Sequence, residues 1–417
     1  MKNLNNLDKQ YIWHPFTQMK DWLKDKQLII EKGKGIYLYD DKGNEYIDGV
    51  SSLWVTVHGH QKKEIDQAIK KQLKKISHST LLGLGNEPSA ILAEKLIKIA
   101  PAGLKKVFYS DSGSTAVEIA LKIAFQYQKL RGKKSKTKFI TLENAYHGDT
   151  IGSVSVGGID LFHELYKPML FKSFKVPVDN ILKLEQLLKA KHQTIAAMIV
   201  EPMVQAAAGM LIMPKGFLES ARKLCKKYNV ILICDEVAAG FGRTGKMFAS
   251  ENISPDIICV AKGITGGYLP LAATLTTEKI FDAFIGDKSK TFFHGHTYTG
   301  NPLSCAAAIA NLDIFEKENT LEKLKAKIEF LREKLDKYKN LKQIKEIRQL
   351  GFMVGIELNS EKAGLGREVI LEARKRGVII RPLGNVIVLM PPLSISLKEL
   401  QKLVKITFES IQAAMRM

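Results

Sequence analysis

The stretch from Val230 to Gly267 restricts the fold more than any other part of the chain. It holds two short apolar runs, Val230 to Asp235 and Ile257 to Ala261; the first ends on Asp235 and the second runs into Lys262. A run that offers no polar side to water reads as a strand covered on both faces, the kind found in a sheet packed between helices. Ligands of such sheets bind outside the carboxyl ends of the strands, so Asp235 and Lys262 are expected to face one crevice. A lysine placed there is poorly hydrated as an ammonium, which lowers its pKa toward a free amine able to condense with a carbonyl. Taken alone, the pair reads more simply as a structural ion pair.

A second stretch changes that balance. Val107 to Ser110 is a short apolar strand, followed by Asp111, Ser112, Gly113, Ser114 and Thr115, and then by Ala116 to Phe125 with helical spacing. Small hydroxyl residues and a glycine at a helix start leave backbone N–H groups and the positive end of the helix dipole free to hold an anion. By itself this is an ordinary N-cap. Together with a lysine and a carboxylate it supplies what a pyridoxal phosphate site needs: an amine to hold the cofactor, an acid to keep its ring nitrogen protonated, and a phosphate cradle.

The order of elements predicts an α/β chain. Residues 1–55 contain an aromatic loop and two alternating segments, Gly35 to Asp40 and Asn44 to Asp48, around a turn at Asp41 to Gly43, the pattern of an antiparallel hairpin. From 56 to 310, helices alternate with apolar runs at Lys138 to Leu142, Ile195 to Glu201, Val230 to Asp235, Ile257 to Ala261 and Leu271 to Leu275, which predicts a large domain with a mostly parallel sheet. A helical region then extends from Pro302 to about Lys339, expected as a long connecting helix and its successor. Strands at Gly351 to Leu358, Val378 to Arg381 and Val386 to Met390 alternate with further helices, so 311–417 is expected to form a smaller α+β domain that also takes up 1–55. On hydrophobicity alone Trp13, Phe16, Leu53 and Trp54 read as core residues.

Composition closes off other classes. No run of about 18 apolar residues predicts a membrane span, and the N-terminal residues lack the apolar core of a signal peptide, so a cytoplasmic location is expected. The four cysteines, Cys225, Cys234, Cys259 and Cys305, have no metal-type spacing and read as buried thiols. His294 and His296 form a His-x-His pair, but no acidic or thiol set completes it, so no metal site is expected. The net charge of +20 raises the question of nucleic acid. The lysines are spread over helical stretches such as 62–75, 183–191 and 323–345 with no aromatic interleaving, which reads as a solvated surface.

Several motifs, in order along the chain, resemble the class III (ω-amino) aminotransferases of pyridoxal phosphate fold type I. They are Trp13-His-Pro-Phe-Thr-Gln18, Asp48-Gly-Val-Ser-Ser52, Asp111-Ser-Gly-Ser114, Tyr146-His-Gly-Asp149, Asp235 to Gly245, Lys262 to Gly267, His294-Gly-His-Thr297, Gly300-Asn-Pro302 and Arg381-Pro-Leu-Gly384. Within that family the chain is similar to the branch that aminates a keto acid in biotin biosynthesis. The resemblance implies that Lys262 holds pyridoxal 5'-phosphate and moves the proton, and that Asp235 pairs with the ring nitrogen. It further implies that Tyr146 and Val237 cover the two ring faces and that Ser112, Gly113 and Ser114 hold the phosphate. His296 and Thr297 would complete the cradle across an obligate homodimer. Phe16, Leu53, Tyr146 and Gly295 would line the substrate pocket, with Arg381 clamping a substrate carboxylate through two parallel hydrogen bonds.

The chain departs from the family pattern in one place. Phe16, Leu53 and Val388 stand where that branch usually carries tyrosine, tryptophan and tyrosine. The usual donor of the branch is S-adenosylmethionine, and a minority uses lysine; with two hydroxyls and an indole missing from the donor pocket, both stay open. Another ω-aminotransferase, acting on a diamine, an ornithine-like compound or a β-amino acid, is the alternative within the family. A basic nucleic-acid-binding protein on a degenerate aminotransferase fold is the alternative outside it, and the presence of both Lys262 and Asp235 weighs against it.

Overall fold

The computed structural model describes residues 3–360, 362 and 364–416, and of 162 and 163 the backbone alone. Its centre is a seven-stranded sheet in the order Leu104–Ser110, Ala272–Thr277, Ile257–Val260, Ile231–Asp235, Ile195–Val200, Lys138–Leu142, Phe174–Val176. The pairings from Ile257–Val260 to Phe174–Val176 are all parallel. Every residue of Ile195–Val200, Ile231–Asp235 and Ile257–Val260 is buried, as unbroken apolar runs require.

The strand period of two divides these side chains between two layers. Ile231, Ile233, Ile257 and Cys259 pack on one face with Ala116, Ile119, Ala120 and Ile123 of the helix Gly113–Leu130. Leu232, Cys234, Ile258 and Val260 belong to the larger core on the other face, with Leu218 and Cys225 of the helix Phe217–Lys227. All four cysteines are buried and free.

Two smaller sheets flank this unit. In one, Ile30–Lys34, Tyr37–Asp40 and Glu45–Asp48 form an antiparallel meander, and Val378–Ile379 adds in parallel beside Glu45–Asp48. In the other, Ile344–Leu350, Met353–Leu358, Val386–Leu389 and Arg381–Leu383 are antiparallel. N-terminal and C-terminal residues thus share one sheet.

The structure adds detail to some of these expectations and corrects others. Ala272–Thr277 runs antiparallel to both its neighbours; an apolar run gives no sense of direction. The helical region after Asn301 is the expected long helix and its successor, Pro302–Lys317 and Thr320–Asp336, separated at Asn319 with φ 51°. Phe174–Val176 and Ile344–Leu350 are strands that the apolar pattern did not flag, because charged and polar residues interrupt both. Finally, Trp13, Phe16 and Leu53 are not core: they are 88%, 60% and 46% exposed, whereas Trp54 is 6% exposed.

Candidate active site

A cavity of about 730 Å³ opens at the carboxyl ends of the central strands. Asp235 closes its strand, and Lys262 follows the neighbouring one at the start of the turn Lys262–Thr265. Both line the cavity, as do Ser112, Gly113, Ser114, Tyr146 and Val237. Among the described residues Asp235 is paired with His147 and forms no ion pair with Lys262.

Asp235 is held from two sides. Its Oδ2 lies 2.7 Å from Nδ1 of His147, and its Oδ1 accepts the Val237 backbone N–H at 3.0 Å. Both side chains are buried, and His147 Nε2 has no hydrogen-bond partner among the described residues. A buried carboxylate fixed in this way is oriented toward whatever it meets in the cavity.

Lys262 has φ 45°, a conformation that costs a side-chain-bearing residue on the order of 1–3 kcal/mol and persists only where the surroundings enforce it. Its exposed surface opens into the cavity, while dense protein around the amine lowers its pKa by desolvation, opposed by Asp235 and Glu201. Its Nζ lies 5.4 Å from the centre of the Trp54 ring, within reach of a cation–π contact.

The helix Gly113–Leu130 points its N-terminus into the same cavity. Ser112 is its N-cap, and its hydroxyl and that of Thr115 satisfy each other's backbone N–H. The first N–H groups of a helix have no intrahelical acceptor, so those of Gly113 and Ser114 remain for a ligand. The Ser114 hydroxyl is itself engaged, 2.7 Å from Thr150 Oγ1 and accepting the Thr150 N–H at 3.0 Å. A Cβ on Gly113 would come within 2.5 Å of Val237 Cγ1, which explains the glycine.

Tyr146 donates its hydroxyl to Asp149 at 2.7 Å and its backbone N–H to Glu201 at 3.0 Å. Burial, followed by Asp149, pushes the phenol pKa up. Arg381 is partly buried, which lowers its pKa, and Tyr146 acts in the opposite sense. The guanidinium has no ion-pair partner among the described residues, so its charge is free for a ligand.

Other expected residues lie off the cavity wall. Phe16, Leu53, Gly295 and Thr297 are exposed, and Arg381 sits outside the lining. His296 Nε2 lies 3.9 Å from Asp111 of its own chain, so its imidazole already stands beside the cradle within one protomer. Val388 is buried in the core with Val50 and Trp54.

Three lining residues had been given no role. Glu201 is buried, accepts the Tyr146 and Ala206 N–H groups at 3.0 Å each, and burial raises its pKa to about 7. In the sequence His147 stands out only as part of a motif, and Trp54 only as a core residue. Glu201 ends an apolar run as Asp235 does, a signal that was available.

The chain matches the family model described as "Aminotransferase class-III" over residues 19–411. A relative from Anoxybacillus flavithermus, an adenosylmethionine-8-amino-7-oxononanoate aminotransferase, is 52% identical over 97% of this chain and 95% of its own. One of the same name from Methanocaldococcus jannaschii is 46% identical over 99% of this chain and 98% of its own. A crystal structure of that enzyme from M. jannaschii superimposes with a TM-score of 0.96 at 49% identity, covering 98% of each chain. An omega transaminase from Pseudomonas jessenii, solved in complex with PMP, gives 0.94 at 32% identity over 100% of this chain and 99% of its own. The fold is that of these transaminases, and the chain belongs to the class-III aminotransferases.

Proposed function

We propose that the protein transfers an amino group to 8-amino-7-oxononanoate, forming 7,8-diaminononanoate for biotin biosynthesis, with pyridoxal 5'-phosphate as cofactor and S-adenosylmethionine or lysine as donor. The relatives named above, at about half identity over nearly full length, support the acceptor. The observation that carries the chemistry is the convergence of Lys262, Asp235 and the N-terminus of Gly113–Leu130 on one cavity.

The residues fit the cofactor. Gly113 and Ser114 would hold its phosphate on backbone N–H groups, with Ser112 capping the helix. Asp235, steadied by His147, would pair with its ring nitrogen. Tyr146 and Val237 would cover its two faces, and His296 and Thr297 would add to the cradle. When bound, pyridoxal phosphate withdraws electrons from the substrate carbon and carries the amino group between donor and acceptor.

The chain's own groups do the rest. Lys262, its ammonium disfavoured by burial, is the amine that holds the cofactor and takes and returns the proton at the substrate carbon bearing nitrogen. Asp235 keeps a negative charge where positive charge is needed. Arg381, without an ion-pair partner among the described residues, receives the carboxylate of the keto acid. Phe16, Leu53 and Gly295 would line the substrate path. Trp13, Phe16, Leu82, Leu84, Phe293 and Tyr298 are large, exposed side chains, and such groups suit cover by a second copy in a homodimer.

In this reading 56–310 is the cofactor-binding domain, and 1–55 with 311–417 forms the smaller one. Among the described residues no helix is long and apolar enough to cross a membrane, and four buried free thiols suit a reducing cytoplasm. The test is to incubate the cofactor-loaded protein with 8-amino-7-oxononanoate and each donor and to follow 7,8-diaminononanoate by mass spectrometry. Product with either donor supports the reading; product with neither, and turnover of a diamine or β-amino acid instead, replaces it with another ω-aminotransferase.

A further inference from the structure

The segment that carries Trp54 is strained. Ser51, Ser52 and Trp54 have φ values of 51°, 62° and 64°, and none is a glycine. Ser52, with ψ −76°, occupies the positive-φ γ-turn region, which is rare and unfavourable for any residue with a Cβ. Three such residues among four consecutive ones stay bent only if their surroundings over-determine them.

Hydrogen bonds from several segments hold this turn. Asp48, wholly buried, accepts the Ser52 backbone N–H at 2.7 Å on Oδ1, and on Oδ2 it meets the Ser52 hydroxyl and His60 Nε2 at 3.0 Å each. The Ser51 hydroxyl donates to the Met390 carbonyl at 2.7 Å, and Met390 returns its N–H to the Gly49 carbonyl at 2.8 Å. Downstream, buried Arg243 donates to the carbonyls of Thr56 and Pro391 at 2.9 and 2.8 Å. The product of this clasp is the position of Trp54: buried, on the cavity wall, 5.4 Å from Lys262 Nζ, with an indole N–H that has no partner among the described residues.

We propose that Asp48, Ser52 and His60 are positioning residues for the active site, and that their carboxylate-centred clasp holds a strained turn so that the Trp54 indole stays packed beside the Lys262 amine. The inference rests on the reading of Lys262 as the reacting amine for its purpose, but not for its test. An indole fixed there limits the room in which the lysine side chain can swing and keeps water from that side of the amine. Ser52 is exposed, so its hydroxyl can be removed without opening the core.

The chain has three tryptophans, Trp13, Trp22 and Trp54. Trp13→Phe and Trp22→Phe in the full-length protein leave Trp54 as the sole indole reporter, read with and without pyridoxal phosphate. The parent should show blue-shifted emission protected from acrylamide. Ser52→Ala and His60→Ala should shift emission to the red and raise quenching about two- to threefold; His60→Gln, whose amide can still reach Asp48, should restore most of the protection. Ser52→Gly separates positioning from stability, because glycine relieves the backbone strain. It should melt above Ser52→Ala yet leave Trp54 at least as accessible. Trp54 protection that follows the melting order instead, or that is unchanged in folded Ser52→Ala and His60→Ala, overturns the proposal. Failure of Lys262 to take up the cofactor would sink the reading of the site while leaving this fluorescence result to stand on its own.

Discussion

His147 Nδ1 and Asp235 Oδ2 are 2.7 Å apart and buried at the end of the central strand. With the Val237 N–H on the other oxygen, this fixes the plane of the Asp235 carboxylate before any ligand arrives. Such preorganisation is what makes a charge effective in a water-poor site. Asp235→Asn is therefore expected to lower turnover by about 10²- to 10³-fold with the fold intact. His147→Ala should lose about 10- to 100-fold, and His147→Asn, which keeps a donor near the place of Nδ1, should retain most activity. Steady-state kinetics beside circular dichroism tests this; a His147→Ala variant as active as the parent would mean that the pair is structural only.

Lys262 pays for its position with strain and desolvation. Lys262→Ala should lose about 10³-fold or more in turnover. Its lowered pKa also has a consequence for stability. Between that lowered value and the ordinary lysine value of 10.5, the unfolded chain binds a proton that the native amine does not, so stability rises with pH in that window. Denaturant titrations of the cofactor-free protein should show this rise, and Lys262→Met should flatten it.

Glu201 makes the opposite prediction. Burial raises its pKa from 4.5 to about 7, so between those values the native chain keeps a proton that the unfolded chain has released. Stability contributed by this group is complete below pH 4.5 and is lost as pH rises through about 7. In Glu201→Gln that part of the fall should vanish. Parallel stability curves for parent and variant over this range would contradict it.

Gly113 offers a test by compensation. Gly113→Ala places a methyl within 2.5 Å of Val237 Cγ1, which should narrow the cradle and weaken pyridoxal phosphate binding about 10-fold or more. Adding Val237→Ala should recover part of that loss. Cofactor titration by absorbance measures both; if the double variant binds no better than Gly113→Ala, crowding against Val237 is not why this position is glycine.

Arg381 should act on affinity. Removing a guanidinium that grips a carboxylate is expected to raise KM for the keto acid about 100-fold in Arg381→Ala, with a much smaller change in kcat. Arg381→Lys should fall between, since a point charge replaces a planar fork. A fall in kcat with KM unchanged would assign Arg381 another part.

Much of this architecture could be read from the residues, for reasons that also explain the rest. Ile231–Asp235 and Ile257–Val260 are apolar without interruption because helices cover both faces, so their strand nature and the charged residues beside them were plain. The helix after Ser112 announced itself by its cap. Strand direction did not: the composition of Ala272–Thr277 carries no sense of direction, and only its register with Ile257–Val260 and Leu104–Ser110 reveals that it is antiparallel. Phe174–Val176 was invisible because an edge strand of three residues with a central lysine has no pattern to show.

The site divides in the same way. Residues at strand ends and helix starts, such as Asp235, Lys262 and Gly113, sit where local pattern says they will. Glu201 carried the same signal as Asp235, an acid ending an apolar run, but its partners are backbone N–H groups of Tyr146 and Ala206. The part played by His147 depends on a contact spanning 88 positions. Trp13, Phe16 and Leu53 look like core by hydrophobicity, yet lie exposed in a single chain; hydrophobicity does not say whether the cover comes from the same chain or another.

Every role proposed for the site depends on Lys262 being the amine that holds the cofactor. The most direct measurement is to load the protein with pyridoxal phosphate, reduce with borohydride, digest, and locate the pyridoxyl group by peptide mass spectrometry. The account predicts a single modified residue, Lys262, and no label in Lys262→Ala. A label on another lysine, or none in the parent protein, would contradict it.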